Sequence, residues 1–143
     1  MVNRNVLAAK LAELSERVGR VRAHCPATVD ALRGDRDALD LVSFNLMLAV
    51  QSCADIASHL VADEGWPAAA TLADAFLRLH EHGVVERSTA DALSRAAGLR
   101  NVVAHGYAGV DVAVVHGAAT RGVVDLESFA REVAVWAKGQ PGG

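Results

Sequence analysis

Residues 36–61 read RDALDLVSFNLMLAVQSCADIASHLV, and the fold follows from how its apolar residues recur. Leu39, Val42, Leu46, Ala49, Cys53, Ile56 and Leu60 are spaced by three or four, the period of one helical face. Asp35 stands where an N-cap belongs, and Gly65, Trp66 and Pro67 close the segment, so a helix is predicted from about Asp35 to Ala62. Its apolar residues cover more than one stripe. Such a helix sits at the centre of a bundle and touches neighbours on several sides. The uncharged run from Leu41 to Ala54 is shorter than a bilayer span and is interrupted by Asn45 and Gln51, so no membrane span is expected.

Upstream, Leu7, Leu11, Leu14, Val18 and Val21 form one stripe of an amphipathic helix over roughly Asn3 to His24. Pro26 and the GDRD stretch at Gly34 to Asp37 break the chain, with room for one helical turn over Thr28 to Leu32. Downstream, Thr71 with Asp74 and Ser88 with Asp91 each place a hydroxyl three residues before a carboxylate, the capping-box spacing. The first opens a helix that turns Leu72, Ala75, Phe76 and Leu79 inward and closes at Gly83. The second carries Ala92, Leu93, Ala96, Leu99, Val102 and Val103 and is expected to fray near Gly106, with Val84 and Val85 buried in the joint between the two. From Gly106 to Gly122 valines mix with glycines. A short helix after Asp111 and a longer one from about Gly122 to Lys138, carrying Leu126, Phe129, Val133 and Trp136, are the expected arrangement. The sum is all-α: an up-down helical bundle of five to six helices in one domain over residues 1–138, with a flexible tail at 139–143.

The chain has 143 residues, 52% hydrophobic, 22% charged and only 4% aromatic, which suits a bundle packed with small aliphatic side chains and excludes a disordered tail. Phe44, Phe76, Phe129 and Trp136 fall on helix faces that need burial, and Trp66 falls in a helix-ending turn. The sixth aromatic is Tyr107, the single tyrosine. A net charge of -3 advertises no global field for nucleic acid, so any such contact must be local. Cys25 and Cys53 are too few for a disulfide framework, and the opening residues read as a charged helix rather than a secretory leader. Two reduced thiols in the cytoplasm are expected.

No metal-ligand spacing is visible. The histidines at 24, 59, 80, 82, 105 and 116 are scattered, and His80 and His82 read as two solvated residues near a helix end. A phosphate-binding G-x-x-x-x-G-K-S loop and a G-x-S-x-G elbow are absent, and neither cysteine has a nearby base. One stretch differs. Residues 100–107, RNVVAHGY, gather a guanidinium, an amide, an imidazole and a phenol within about two helical turns. Asn101 and His105 are i, i+4 neighbours, so the amide can hold the imidazole in one orientation. Arg100 and His105 are about 140° apart around a straight helix and reach one phosphate only if the backbone turns at Gly106 or two copies meet across a two-fold axis. The plain alternative is a solvated Arg100 and a His105 that caps the helix end.

In this setting, R-x4-H-x-Y resembles the signature of the HEPN superfamily, and more narrowly of its HepT type, the toxin half of the HepT/MntA toxin-antitoxin pair. The resemblance runs through residues 36–61, through LADAFLRLHEHGVV at 72–85 and on to DLESFAREV at 125–133. It implies a metal-independent endoribonuclease without a cofactor, active as a homodimer that pairs through its motif helices. It also implies His105 as general acid or base, Arg100 on the phosphate, and Asn101 orienting one or the other. Tyr107 matches the tyrosine to which a cognate MntA-like nucleotidyltransferase antitoxin adds AMP. Asp55 lies where such proteins carry a polar residue facing the site and could support Arg100, or could be an ordinary exposed carboxylate. Arg33, Arg36 and Arg95 could add local charge for RNA. After Tyr107 the chain is richer in glycine and alanine than the family's polar helices, with His116 where a long or aromatic residue is usual. The competing readings are a HEPN dimer that cuts nothing but binds nucleotide or scaffolds a nucleotidyltransferase, and a plain structural bundle.

Overall fold

The computed structural model describes residues 1–105 and 111–141, with side chains placed for 1–98 and 111–141. Its helices are α1 (Arg4–His24), α2 (Val29–Arg33), α3 (Arg36–Asp63), α4 (Leu72–Glu81), α5 (Arg87–His105), α6 (Val112–Gly117) and α7 (Val123–Lys138). A π-helical turn, Ala118–Gly122, joins the last two. No strand occurs among the described residues.

Most helix starts are written locally. Asn3, Thr28, Asp35, Thr71 and Asp111 each accept a bond from a backbone N–H two or three residues on, at 2.9 to 3.2 Å. Such a cap stabilises a helix by about 1 kcal/mol. Two ends are local as well. Gly65 and Gly83 take φ of +69° and +75°, and the amides of Trp66 and Val84 reach back to the carbonyls of Val61 and Leu79. Only glycine adopts that left-handed turn without strain.

The start of α5 is different and corrects the second expected capping box. Ser88 already lies inside the helix. Its opening is held by Glu132 of α7, whose carboxylate accepts from the Glu86 amide and from the Thr89 hydroxyl, both at 2.7 Å. A carboxylate at a helix N-terminus also suits the helix dipole.

The last third is one continuous rod rather than two helices. Gly117, Ala118, Gly122 and Val123 all keep right-handed helical dihedrals, so the path widens into the π-turn and never breaks. Thr120 donates its hydroxyl to the His116 carbonyl inside that turn.

Around α3 the long elements alternate in direction. The Asn3 amide meets the Asp63 carboxylate and Arg17 meets Asn45, so α1 runs antiparallel to α3. α5 starts at the end where His82, Trp66 and Trp136 gather, and runs back along α3. The α6–α7 rod starts beside Pro26, whose carbonyl meets His116, and returns parallel to α3. By length and hydropathy α3 would pass as a membrane span, but most of its apolar residues are buried among the other helices. At the heart of the bundle Phe76 and Phe129 meet edge to face, 5.7 Å between ring centres.

Phe44 does not join this core. It is 53% exposed on the outer face of α3, with half-buried Leu41, Met47 and Leu48 around it. At about 100° per residue Phe44 falls on the side of α3 opposite the stripe of Val42, Leu46, Ala49 and Cys53, so the buried stripe leaves it at the surface.

Candidate functional site

The motif occupies the last turns of α5. Arg100, Asn101 and His105 all lie on helical backbone, and Tyr107 lies outside the described residues. Because the helix persists through His105, a turn at Gly106 comes too late to bring positions 100 and 105 to one side. They remain about 140° apart on one helix, whereas positions 101 and 105 share a face.

Two clamps set where this helix end falls. At its start Glu132 ties α5 to α7. Along its length Ala90 and Leu93 are buried in the common core, and α5 packs on both α3 and α4. Nineteen residues of helix extend about 28 Å, enough to carry position 105 from the Trp66 end to the level of the first half of α3. The motif therefore shares one end of the bundle with the C-terminus of α1, with α2 and with the start of the α6–α7 rod.

The other candidates scatter. Asp55 accepts from Gln51 at 2.9 Å and lines a groove between α1 and α3 with Val6, Ala9, Lys10, Glu13 and Ser52. That groove lies on the α1 flank of α3, and Asp55 stands eleven residues, about three helical turns, beyond Phe44 on the same exposed face. Arg33 pairs with Asp30 and Arg36 with Asp40. Arg95 is exposed on α5 itself. His80 and His82 are not simply solvated: His80 Nδ1 is 3.1 Å from the Val85 carbonyl, and the His82 ring stacks on Trp66 at 4.0 Å. His116 is held by the Pro26 carbonyl at 3.0 Å and belongs to the packing of α6 on α2.

Neither thiol is poised as a nucleophile, since burial pushes the pKa of both Cys25 and Cys53 up. Among the described residues no three His, Cys, Asp or Glu side chains gather as metal ligands. A bidentate ion pair, Arg22 with Glu127, ties α1 to α7; the hydrogen bond raises the arginine pKa and lowers that of the carboxyl. A groove of about 400 Å³ between α3 and α4, floored by Trp66, has no charged side chain in its lining and lies at the far end of the bundle from the motif.

Comparisons with known proteins agree with this architecture. The family model described as ribonuclease HepT-like matches residues 14–133. The mRNA nuclease HepT of Shewanella oneidensis is 27% identical over 90 residues, which span 63% of this chain and 68% of that protein. A toxin-antitoxin crystallised with AMP-PNP superposes with a TM-score of 0.85 at 21% identity, over 92% of this chain and 98% of that one. The tri-AMPylated Shewanella oneidensis HEPN toxin, in complex with MNT antitoxin, gives 0.83 at 22% identity over 91% and 97%. YutE of Bacillus subtilis, a cytosolic protein of unknown function, gives 0.83 at 12% identity over 98% and 95%. With its α5 motif, its all-α architecture and a family match over most of its length, the chain belongs to the HepT-like ribonuclease family.

Proposed function

We propose that the chain is the endoribonuclease toxin of a cytoplasmic toxin-antitoxin pair and that it cleaves RNA without a metal ion. The observation that carries this reading is the R-x4-H-x-Y motif at the end of a helical α5 in a HepT-like chain. His105 takes the proton of a ribose 2'-hydroxyl, whose oxygen bonds to the adjacent phosphorus. The bond from phosphorus to the 5'-oxygen breaks, and that oxygen takes up a proton. The products are a 2',3'-cyclic phosphate and a 5'-hydroxyl. Imidazole titrates near neutrality and suits both proton transfers. Arg100 binds the non-bridging oxygens through its planar fork and offsets the charge that grows in the transition state. Asn101, one turn before His105, holds the imidazole.

The active form is a homodimer, because one straight helix does not aim positions 100 and 105 at the same phosphate. The second copy covers the Phe44 face, which lies level with the end of α5. Burying the exposed half of a phenylalanine, about 100 Å², contributes ~2 kcal/mol per copy. Phe44→Glu is expected to convert the dimer into a folded monomer, with an unchanged circular dichroism spectrum. Sedimentation that still reports a dimer would assign the interface elsewhere.

The partner is an MntA-like nucleotidyltransferase antitoxin that transfers AMP to the Tyr107 hydroxyl. The tyrosine oxygen bonds to the α-phosphorus of ATP and pyrophosphate leaves. Further phosphates beside the cleft repel RNA and fill it. Two measurements test the whole reading. Purified protein should cut RNA in EDTA and leave cyclic phosphate ends. After incubation with antitoxin and ATP, mass spectrometry should find AMP on Tyr107 and cleavage should stop, while Tyr107→Phe should stay active and unmodified. RNA left intact by the unmodified protein would instead favour a dimer that only binds or scaffolds.

A further inference from the structure

The π-turn in the α6–α7 rod prepares one side chain in an unusual way. Arg121 is exposed, and its guanidinium folds back over Gly117, with Nη2 only 2.7 Å from where a Cβ on residue 117 would stand. A Cβ at 117 would displace this flexible end of the side chain. Asp125, four residues on and exposed, would be the ordinary helical partner, yet no ion pair joins it to Arg121 among the described residues. Residues 106–110, GYAGV, supply no carboxylate either. Turns of this kind recur at functional sites because the extra residue re-aims the side chains around it.

The position of Arg121 follows from the clamp at the other end of the same helix pair. Thr89 of α5 meets Glu132 of α7 at 2.7 Å. Eleven residues are close to three full helical turns, so they return to the same face. Position 100 lies eleven residues after Thr89, and position 121 lies eleven residues before Glu132. The two helices are antiparallel, and therefore positions 100 and 121 fall opposite each other. The π-turn does pack against α5.

We propose that Arg121 is a further RNA-binding residue, a second guanidinium beside the Arg100 position that contacts a backbone phosphate. The inference rests on the ribonuclease reading and names a residue outside its motif. Arg121 forms no ion pair among the described residues, and an exposed guanidinium so placed attracts a polyanion, its planar fork suiting phosphate oxygens. This also answers how a chain of net charge -3 holds RNA, through a local pair of cations rather than a global field.

Binding of a fluorescent, unstructured 20-nucleotide RNA to His105→Ala protein separates affinity from cleavage. Adding Arg121→Gln should weaken binding about five- to tenfold at low salt and flatten the plot of log affinity against log salt by about 0.7, one phosphate contact on a single strand. Arg121→Lys should restore the slope and only part of the affinity. A lost structural contact would not move the slope. Equal affinity and slope for Arg121→Gln and its parent would overturn the assignment and leave the ribonuclease reading standing. An absence of RNA binding by the parent, with no cleavage by the wild type, would overturn both.

Discussion

Replacing His105 with alanine is expected to lower the rate of RNA cleavage about a thousandfold, within the range that a positioned general acid or base contributes. The loss should fall on kcat, with RNA binding kept, if the imidazole moves protons and Arg100 holds the phosphate as proposed. Arg100→Ala should lose both binding and turnover. The pair of variants also tests the shared cleft. If each site takes Arg100 from one copy and His105 from the other, a mixed dimer of the two variants contains one intact site and one that lacks both groups. A statistical mixture then recovers about a quarter of the wild-type rate, whereas sites built from one chain recover nothing. Full activity of His105→Ala, measured on the same RNA, would remove the imidazole from the mechanism.

The second large effect is on stability. Phe129 is completely buried and its ring meets Phe76 edge to face. Phe129→Ala removes the apolar contact and leaves a cavity where α7 crosses the core, at a cost of about 3–5 kcal/mol. For a chain of this size that lowers the melting temperature by ~10 °C or more. Val135→Ala on the same helix is the comparison, since Val135 is 66% exposed and should change stability by less than about 0.5 kcal/mol. A melting temperature for Phe129→Ala within two or three degrees of wild type would mean that the bundle collapses around the missing ring.

The outcome at the helix ends shows how far local reading reaches. The caps at Asp35 and Thr71 and the glycine at 83 were legible because each acts within three or four residues of itself. Ser88 matched the same pattern and is not a cap, because Glu132, more than forty residues away in sequence, accepts from the Glu86 amide and the Thr89 hydroxyl instead. Gly122 resembled a break and is helical, because glycine permits the right-handed conformation as readily as the left and the neighbouring turns carry the rod through it. The motif at 100–107 was legible as chemistry, since unlike polar groups clustered on one short stretch.

By itself, the sequence determined which segments are helical, where most of them begin and end, and which stretch gathers the candidate polar groups. Those properties depend on hydrogen bonds and side-chain periods within one turn or two. The tertiary structure decided which apolar residues are covered, so that Phe129 is buried while Phe44, on the side of α3 opposite its main apolar stripe, faces outward. It decided too that His82 stacks on Trp66, and that the π-turn carrying Arg121 packs against α5. Burial and juxtaposition depend on how helices distant in sequence cross, and no residue's neighbours along the chain carry that information.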